Sequence, residues 1–436
     1  MRTSRRFAKD DDSRRSLNAS LRDGIFASVM NGFTAEYFTP FLLLLGAGVR
    51  QVGILNAAQN LAASFVQFKS ADLTVAVRSR RKIFVLFVFL QVLTLAPMVF
   101  CALWKTPIWV FISLVVLFAA CNGLATPAWS SLMSELVRPE VRGAYFGWRN
   151  KTLGLITVGA TLAAGWLLSA LNGFSPFTAF AFIFACAFIF RLISWYFLTR
   201  MHEPPLTHSK IHQFTLFQFV RRLKESNFAK FVLFVAAMNF SVNLASPFFA
   251  VLMIRDFHFS YPLYGAITAT ATLTVCLLAG RWGRYADHVG NIRILKLTSP
   301  LIGAIPLLWI LNHHPAFLFF AQIFSGFMWA GFNLCASNFI YDAVIPEKRT
   351  RCIAYFNLFN GLALGVGGYL GGFLAPRLPV LFGYKLLTLL LISAILRMAI
   401  GLVMPRFIKE VRPVKPVQAK DLFLSFVGMR SLGYKI

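Results

Sequence analysis

The chain has 436 residues, of which 58% are hydrophobic and 14% charged, and its mean hydropathy is +0.66; a soluble globular chain of this composition could not cover its surface with polar groups, so its solvent is lipid. The 43 Lys and Arg against 16 Asp and Glu would suit nucleic acid, but the cations concentrate in alternate loops between apolar runs, which is the positive-inside pattern of a membrane protein instead. The six cysteines, Cys101, Cys121, Cys186, Cys276, Cys335 and Cys352, fall within or at the edges of those runs at no ligand-like spacing, so neither a disulfide framework nor a zinc site is indicated.

Windows of about 20 apolar residues, enough to cross a bilayer, recur twelve times along the chain. Residues 1–22 read as a basic cytoplasmic tail without a cleavable signal peptide. The first span, 23–46, holds Glu36, the one acidic residue near the middle of a span; Gly32, Glu36 and Thr39 share a helix face, with Pro40 just beyond. The second span, 51–74, aligns Asn56, Asn60 and Gln67 on one face, with Gln59 beside them and Lys69 deeper, a lining suited to a water-filled path. Spans three to six cover 83–103, 108–133, 144–171 and 177–199.

Residues 200–227 form the join. It opens with Glu203-Pro204-Pro205, and 211–225 reads as an amphipathic helix lying on the inner membrane face, with a flexible linker as the alternative. The seventh span, 228–254, carries Asn239 and Asn243. Spans at 262–281, 292–312, 315–340, 351–375 and 381–404 follow, then a cytoplasmic tail, 405–436. Arg149, Lys151, Arg191 and Arg397 fall in cytoplasmic halves of their spans, where long side chains snorkel to headgroups as anchors; Arg149 is the exception, since it is also placed to serve a cytoplasmic charge pair.

The chain is written twice, at a shift of 207 residues. Thr39-Pro40-Phe41 recurs as Ser246-Pro247-Phe248. Glu135, Pro139, Glu140, Arg142, Asn150 and Gly154 recur as Asp342, Pro346, Glu347, Arg349, Asn357 and Gly361. The expected fold is therefore all-α, with twelve transmembrane helices in two pseudo-symmetric six-helix bundles, 23–199 and 228–404, related by an axis along the membrane normal. The same shift carries Glu36 onto Asn243 and Gly32 onto Asn239, so a shared site would be symmetric in position and asymmetric in charge.

After the eighth span the chain reads Gly283-Arg-Tyr-Ala-Asp287-His-Val-Gly290-Asn-Ile-Arg293. Glycines make a tight turn there, a carboxylate stands at a helix end, and a cation follows; such a carboxylate, pairing with an Arg in one conformation and releasing it in another, acts as a latch. This spacing, with twelve spans and a six-plus-six duplication, resembles the major facilitator superfamily over nearly the whole chain. The chain departs from that pattern at His288, where Arg or Lys is usual, and in the first-half loop, where Ala76 and Ser79 replace the Asp and the second Gly.

The resemblance implies alternating access, two bundles rocking about a solute site near mid-membrane, with no covalent chemistry. Asp287 would then meet Arg142 or Arg149, and Glu135 and Asp342 would meet Arg residues of the same cytoplasmic layer. Two roles fit Glu36: a proton carrier, or a counter-ion for a cationic group on the solute.

The leading expectation is a proton-coupled secondary transporter of a small organic solute, monomeric, in a bacterial inner membrane with both termini cytoplasmic. It needs a proton gradient and membrane lipid, and no cofactor, metal or nucleic acid. Proton antiport of amphipathic drugs or metabolites is the nearest alternative, although the fifth span lacks the Gly-Pro-x-x-Gly-Gly run of the family's antiporters. A non-transporting receptor or assembly factor is the other. An enzyme is not expected, since the seven histidines lie outside the span centres and no carboxylate cluster or phosphate loop accompanies them.

Overall fold

The computed structural model describes residues 7–173, 175–204, 226–344 and 346–412. The expected amphipathic helix at 211–225 and most of the C-terminal tail lie outside the described residues, as does the side chain of Arg349.

Twelve helical spans follow in order. The first six are Asp11–Thr34 with Phe38–Leu44, Val49–Val77, Arg80–Trp104, Ile108–Leu136, Arg142–Ala170 and Pro176–Leu198. The second six are Asn227–Asn243 with short turns to Asp256, Tyr261–Val289, Asn291–Leu311, Pro315–Ala343, Pro346–Leu374 and Lys385–Val403. Ten of these, among the described residues, are long and apolar enough by themselves to cross a membrane. The first two carry the polar residues and depend on their neighbours.

Helix starts follow ordinary capping chemistry. The Asp10 side chain accepts from the Ser13 amide at 2.6 Å, and Asp11 and Asp12 complement the positive end of the helix dipole. The first helix therefore begins inside the stretch read as tail, and Ser16 and Leu17 are buried. Ser79 and Ser226 cap the third and seventh spans in the same way.

The packing repeats with the sequence. In the first half, spans 1 and 5, 1 and 6, 2 and 4, 3 and 4, and 3 and 6 pack together; in the second half the partners six spans on do the same. Between halves the seams are span 2 on span 11 and span 5 on span 8, which exchange under the same two-fold operation. Small residues permit the approach: a Cβ on Gly53 would stand 2.7 Å from the Cα of Gly372. Leu86, Leu90, Leu93 and Phe100, at helical spacing on the third span, form an exposed apolar face, as contact with lipid requires.

At the end opposite the basic loops, here the charge-poor end, the short helix Phe38–Leu44 is wedged by rings. Phe41 lies 4.7 Å from Phe111 and 5.2 Å from both Phe180 and Phe184. The same helix meets the Phe249–Val251 segment of the other half.

Candidate functional site

The first span breaks at residues 35–37, and Pro40 explains where. Proline has no amide hydrogen to give the carbonyl four residues back, and its ring crowds that carbonyl. The deprived carbonyl belongs to Glu36. It is satisfied from the other half, because the Tyr264 hydroxyl donates to it at 2.7 Å. Beside it, the Tyr37 hydroxyl donates to the Thr161 carbonyl at 2.7 Å. Pro247 deprives Asn243 in the same way, and the helix Asn227–Asn243 ends there, passing through a 3₁₀ turn at Ser246–Phe248 to a π turn at Leu252–Asp256. Two broken helices thus stand at matching places in the two halves, the arrangement that builds solute and ion sites at membrane depth.

A cavity of 360 Å³ opens beside the breaks. Ala35, Glu36, Thr39 and Asn56 line it from the first half. Val242, Ser246, Tyr264, Thr268, Trp309, Gln322, Ser325, Trp329 and Arg397 are among its walls from the second. Glu36 is exposed to this space. Its carboxylate has no hydrogen-bond partner among the described residues.

Arg397 corrects the sequence reading. It does not snorkel: it is 2% exposed and lines the cavity. Its Nη2 donates to the Val242 carbonyl at 3.1 Å, and its Nε has no partner among the described residues. The twelfth span packs on the ninth and seventh, and the Val242 carbonyl that Arg397 reaches belongs to the seventh.

Of the amides predicted to line the site, Asn243 bonds across the seam between the halves, while Asn60 and Asn239 bond within their own halves. Asn243 is 6% exposed, and its Nδ2 donates to Asn56 Oδ1 at 2.5 Å and to the Leu364 carbonyl at 2.6 Å. Asn60 donates to the Asn56 carbonyl at 2.8 Å, and Asn239 to Asn360 Oδ1 at 2.8 Å. This ladder joins the second span to the seventh and eleventh, and of its members Asn56 reaches the cavity. Gln59 and Gln67 are half-buried on the second span and Lys69 is exposed.

Inside the first half, Asp23 is buried with a cation near it. Its carboxylate accepts from the Ser194 hydroxyl at 2.6 Å; Arg191 donates to that hydroxyl at 3.0 Å and to Gln91 at 2.7 Å. Arg149 is 7% exposed, donates to the Ser20 carbonyl at 3.1 Å and lies 4.5 Å over the Trp129 ring. Neither arginine snorkels.

The basic end carries two matching charge clusters. Arg80 pairs with Glu135 at 2.6 Å, and Glu203 closes on the start of the third span, accepting from Ser79 at 2.6 Å and from the Arg80 amide at 2.7 Å. In the second half Arg412 pairs with Asp342 at 2.7 Å and with Asp287 at 3.0 Å, and Glu410 accepts from the Ile292 amide at 2.8 Å. Gly290, at φ +91°, is where glycine is required: a Cβ there would sit 2.5 Å from the Glu410 carboxylate. Gly283 packs toward Leu334, and Arg293 is half-buried on the ninth span.

Asp287 therefore does not meet Arg142 or Arg149. Arg142 donates to the Ser134 carbonyl at 2.5 Å, closing the end of the fourth span, and Arg149 points into its own bundle. The ion pairs of Arg80 and of Arg412 each stay within one half. Burial opposes the charge on Glu203, but the hydrogen bonds from Ser79, Arg80 and Arg81 outweigh it and hold its pKa below the ordinary glutamate value. Glu203 and Glu410 are 207 residues apart, so carrying the repeat past its sixth span would have found them.

Twelve helices in two six-helix halves, broken helices meeting at a central cavity and charge clusters at one end define a transporter fold. The sequence pattern of the Major Facilitator Superfamily matches residues 24–241 and 231–432, and the chain belongs to that family. No protein of curated function matches it in sequence.

Among solved structures, it is similar to the nucleoside transporter NupG, with a TM-score of 0.68 at 15% identity over 90% of this chain and 99% of that one. A bacterial homologue of the human lysosomal transporter Spinster, inward-facing and unoccupied, gives 0.68 at 15% identity over 92% and 98%. The POT family transporter PepTSo gives 0.69 at 11% identity over 90% and 97%. At these identities the likeness is one of fold.

Proposed function

We propose that the protein is a secondary active transporter that moves a small organic solute by alternating access and couples that movement to protons through Glu36. The observation that carries this reading is the placement of Glu36: a carboxylate without a partner among the described residues, at a break in a membrane helix, open to a cavity between the two halves. A carboxylate there is expensive unless it has a task, and taking up and releasing a proton as the cavity changes sides is such a task. In this reading the protein sits as a monomer in a bacterial inner membrane with both termini cytoplasmic. The rocking motion makes and breaks the seams of spans 2 and 11 and of spans 5 and 8.

Trp309, Trp329 and Phe249 in the cavity wall support a second reading, proton-driven export of amphipathic solutes. Arg397 weighs against lipophilic cations as those solutes.

The test is uptake into proteoliposomes of a solute first identified by thermal shift of the purified protein. Accumulation that follows an imposed proton gradient and collapses with a protonophore is expected. Uptake that ignores the gradient would remove the coupling, and binding without uptake would favour a receptor or assembly role.

A further inference from the structure

The chemistry of the solute is readable from the charges of the cavity. Glu36 comes from the first span, Tyr264 from the eighth and Arg397 from the twelfth, and these are the ionisable side chains that line it. The second span contributes Asn56, the seventh Val242 and Ser246, the ninth Ile305 and Trp309, and the tenth Gln322, Ser325 and Trp329, all neutral.

Arg397 is the unusual member. A guanidinium has five N–H donors and stays charged in proteins. Here it is 2% exposed, with its Nη2 on one carbonyl and its Nε without a partner among the described residues. A buried cation left this way is strongly unfavourable until an acceptor reaches it. With Glu36 ionised, the cavity carries one charge of each sign and is neutral as a whole. With Glu36 protonated, it carries the positive charge of Arg397 alone, which an incoming anion neutralises.

We propose that Arg397 binds the carboxylate of a small organic acid, and that protonation of Glu36 releases the guanidinium's field to that anion, so that proton and anion travel together. This rests on the transport reading above. Two carboxylate oxygens match the planar donor edge of a guanidinium. Trp309 and Trp329 in the lining offer an apolar wall for the body of the acid. A volume of 360 Å³ is at the small end of the roughly 300–1,000 Å³ of ligand pockets. A cationic solute paired with Glu36 would leave Arg397 uncompensated.

The experiment uses the full chain in lipid nanodiscs, read by the fluorescence of its tryptophans, and three probe series: monocarboxylates from acetate to phenylacetate, the matching amides and the matching amines. The expected result is binding in the carboxylate series alone, tighter at pH 5 than at pH 8 by tenfold or more. Arg397→Gln should lose it, Arg397→Lys should retain part of it, and in Glu36→Gln it should no longer depend on pH. A silent carboxylate series, equal binding of the amides, or carboxylate binding that survives Arg397→Gln would overturn the proposal. A carboxylate that binds but is not carried into proteoliposomes leaves the anion site standing and removes transport. Uptake of a neutral or cationic solute untouched by Arg397→Gln removes the anion site and leaves transport standing.

Discussion

The hydroxyl of Tyr264 donates to the main-chain carbonyl of Glu36 at 2.7 Å, so the gap that Pro40 opens in the first span is closed by a residue of the opposite half. The bond exists only while the two halves meet at the charge-poor end. In the proposed alternating-access cycle it stabilises that state, and it sits next to the carboxylate proposed to carry the proton.

Tyr264→Phe removes the donor and keeps the ring, which also stands 6.0 Å from Tyr37 in an edge-on contact. A neutral hydrogen bond contributes about 0.5–1.5 kcal/mol, so the closed state should lose roughly two- to tenfold in population. Thiol labelling of a cysteine introduced as Ala47→Cys should speed up accordingly. Unchanged labelling would show that the bond does not hold this end shut.

The sequence made the membrane, the twelve spans and the duplication legible, because each rests on long apolar windows or on a repeat sampled many times. Glu36 was legible for a related reason: an acidic residue inside an apolar window has few alternatives. Arg397 was misread, since its depth depends on which helices cover its span, and a window does not contain that information. Asn243 matched Glu36 by the repeat, and its neighbours Val242 and Ser246 line the cavity as their counterparts Ala35 and Thr39 do, yet its side chain is taken up by Asn56 and the Leu364 carbonyl, contacts between separate spans that a repeat does not reveal. The pairing of Asp287 with Arg412 was out of reach for the same reason, being a contact between segments 125 residues apart. The prolines at 40 and 247, a repeated pair in the sequence, mark the helix breaks through their missing amide hydrogens.

Glu203 anchors the segment after the sixth span to the start of the third. Glu203→Gln exchanges charge-assisted hydrogen bonds for neutral ones and weakens the match to the helix dipole, at a cost of about 1–3 kcal/mol. Because its pKa is lowered in the fold, its contribution is full above the ordinary glutamate range, about pH 4.3, and fades as pH falls through the lowered value. Thermal unfolding followed from pH 7 to pH 3 should show an acid-side loss in the wild type that is smaller in Glu203→Gln. Parallel curves would assign that loss to other carboxylates.

Asp23 and Arg191 share the Ser194 hydroxyl inside the first bundle. Arg191→Met leaves a buried carboxylate without its cation and should destabilise the protein by about 3–5 kcal/mol. Adding Asp23→Asn should recover most of that loss, since it removes the stranded charge. Additive losses in the double variant, measured by unfolding in detergent, would mean that the two residues are not energetically coupled.

Proton coupling through Glu36 is tested most directly by the protons that move with the solute, recorded with a pH indicator inside proteoliposomes once a transported solute is in hand. Wild-type protein should acidify the lumen when solute is added outside. Glu36→Gln should abolish that acidification, and solute exchange between equal pools should continue. Acidification that persists in Glu36→Gln would contradict the placement of the coupling proton on this carboxylate.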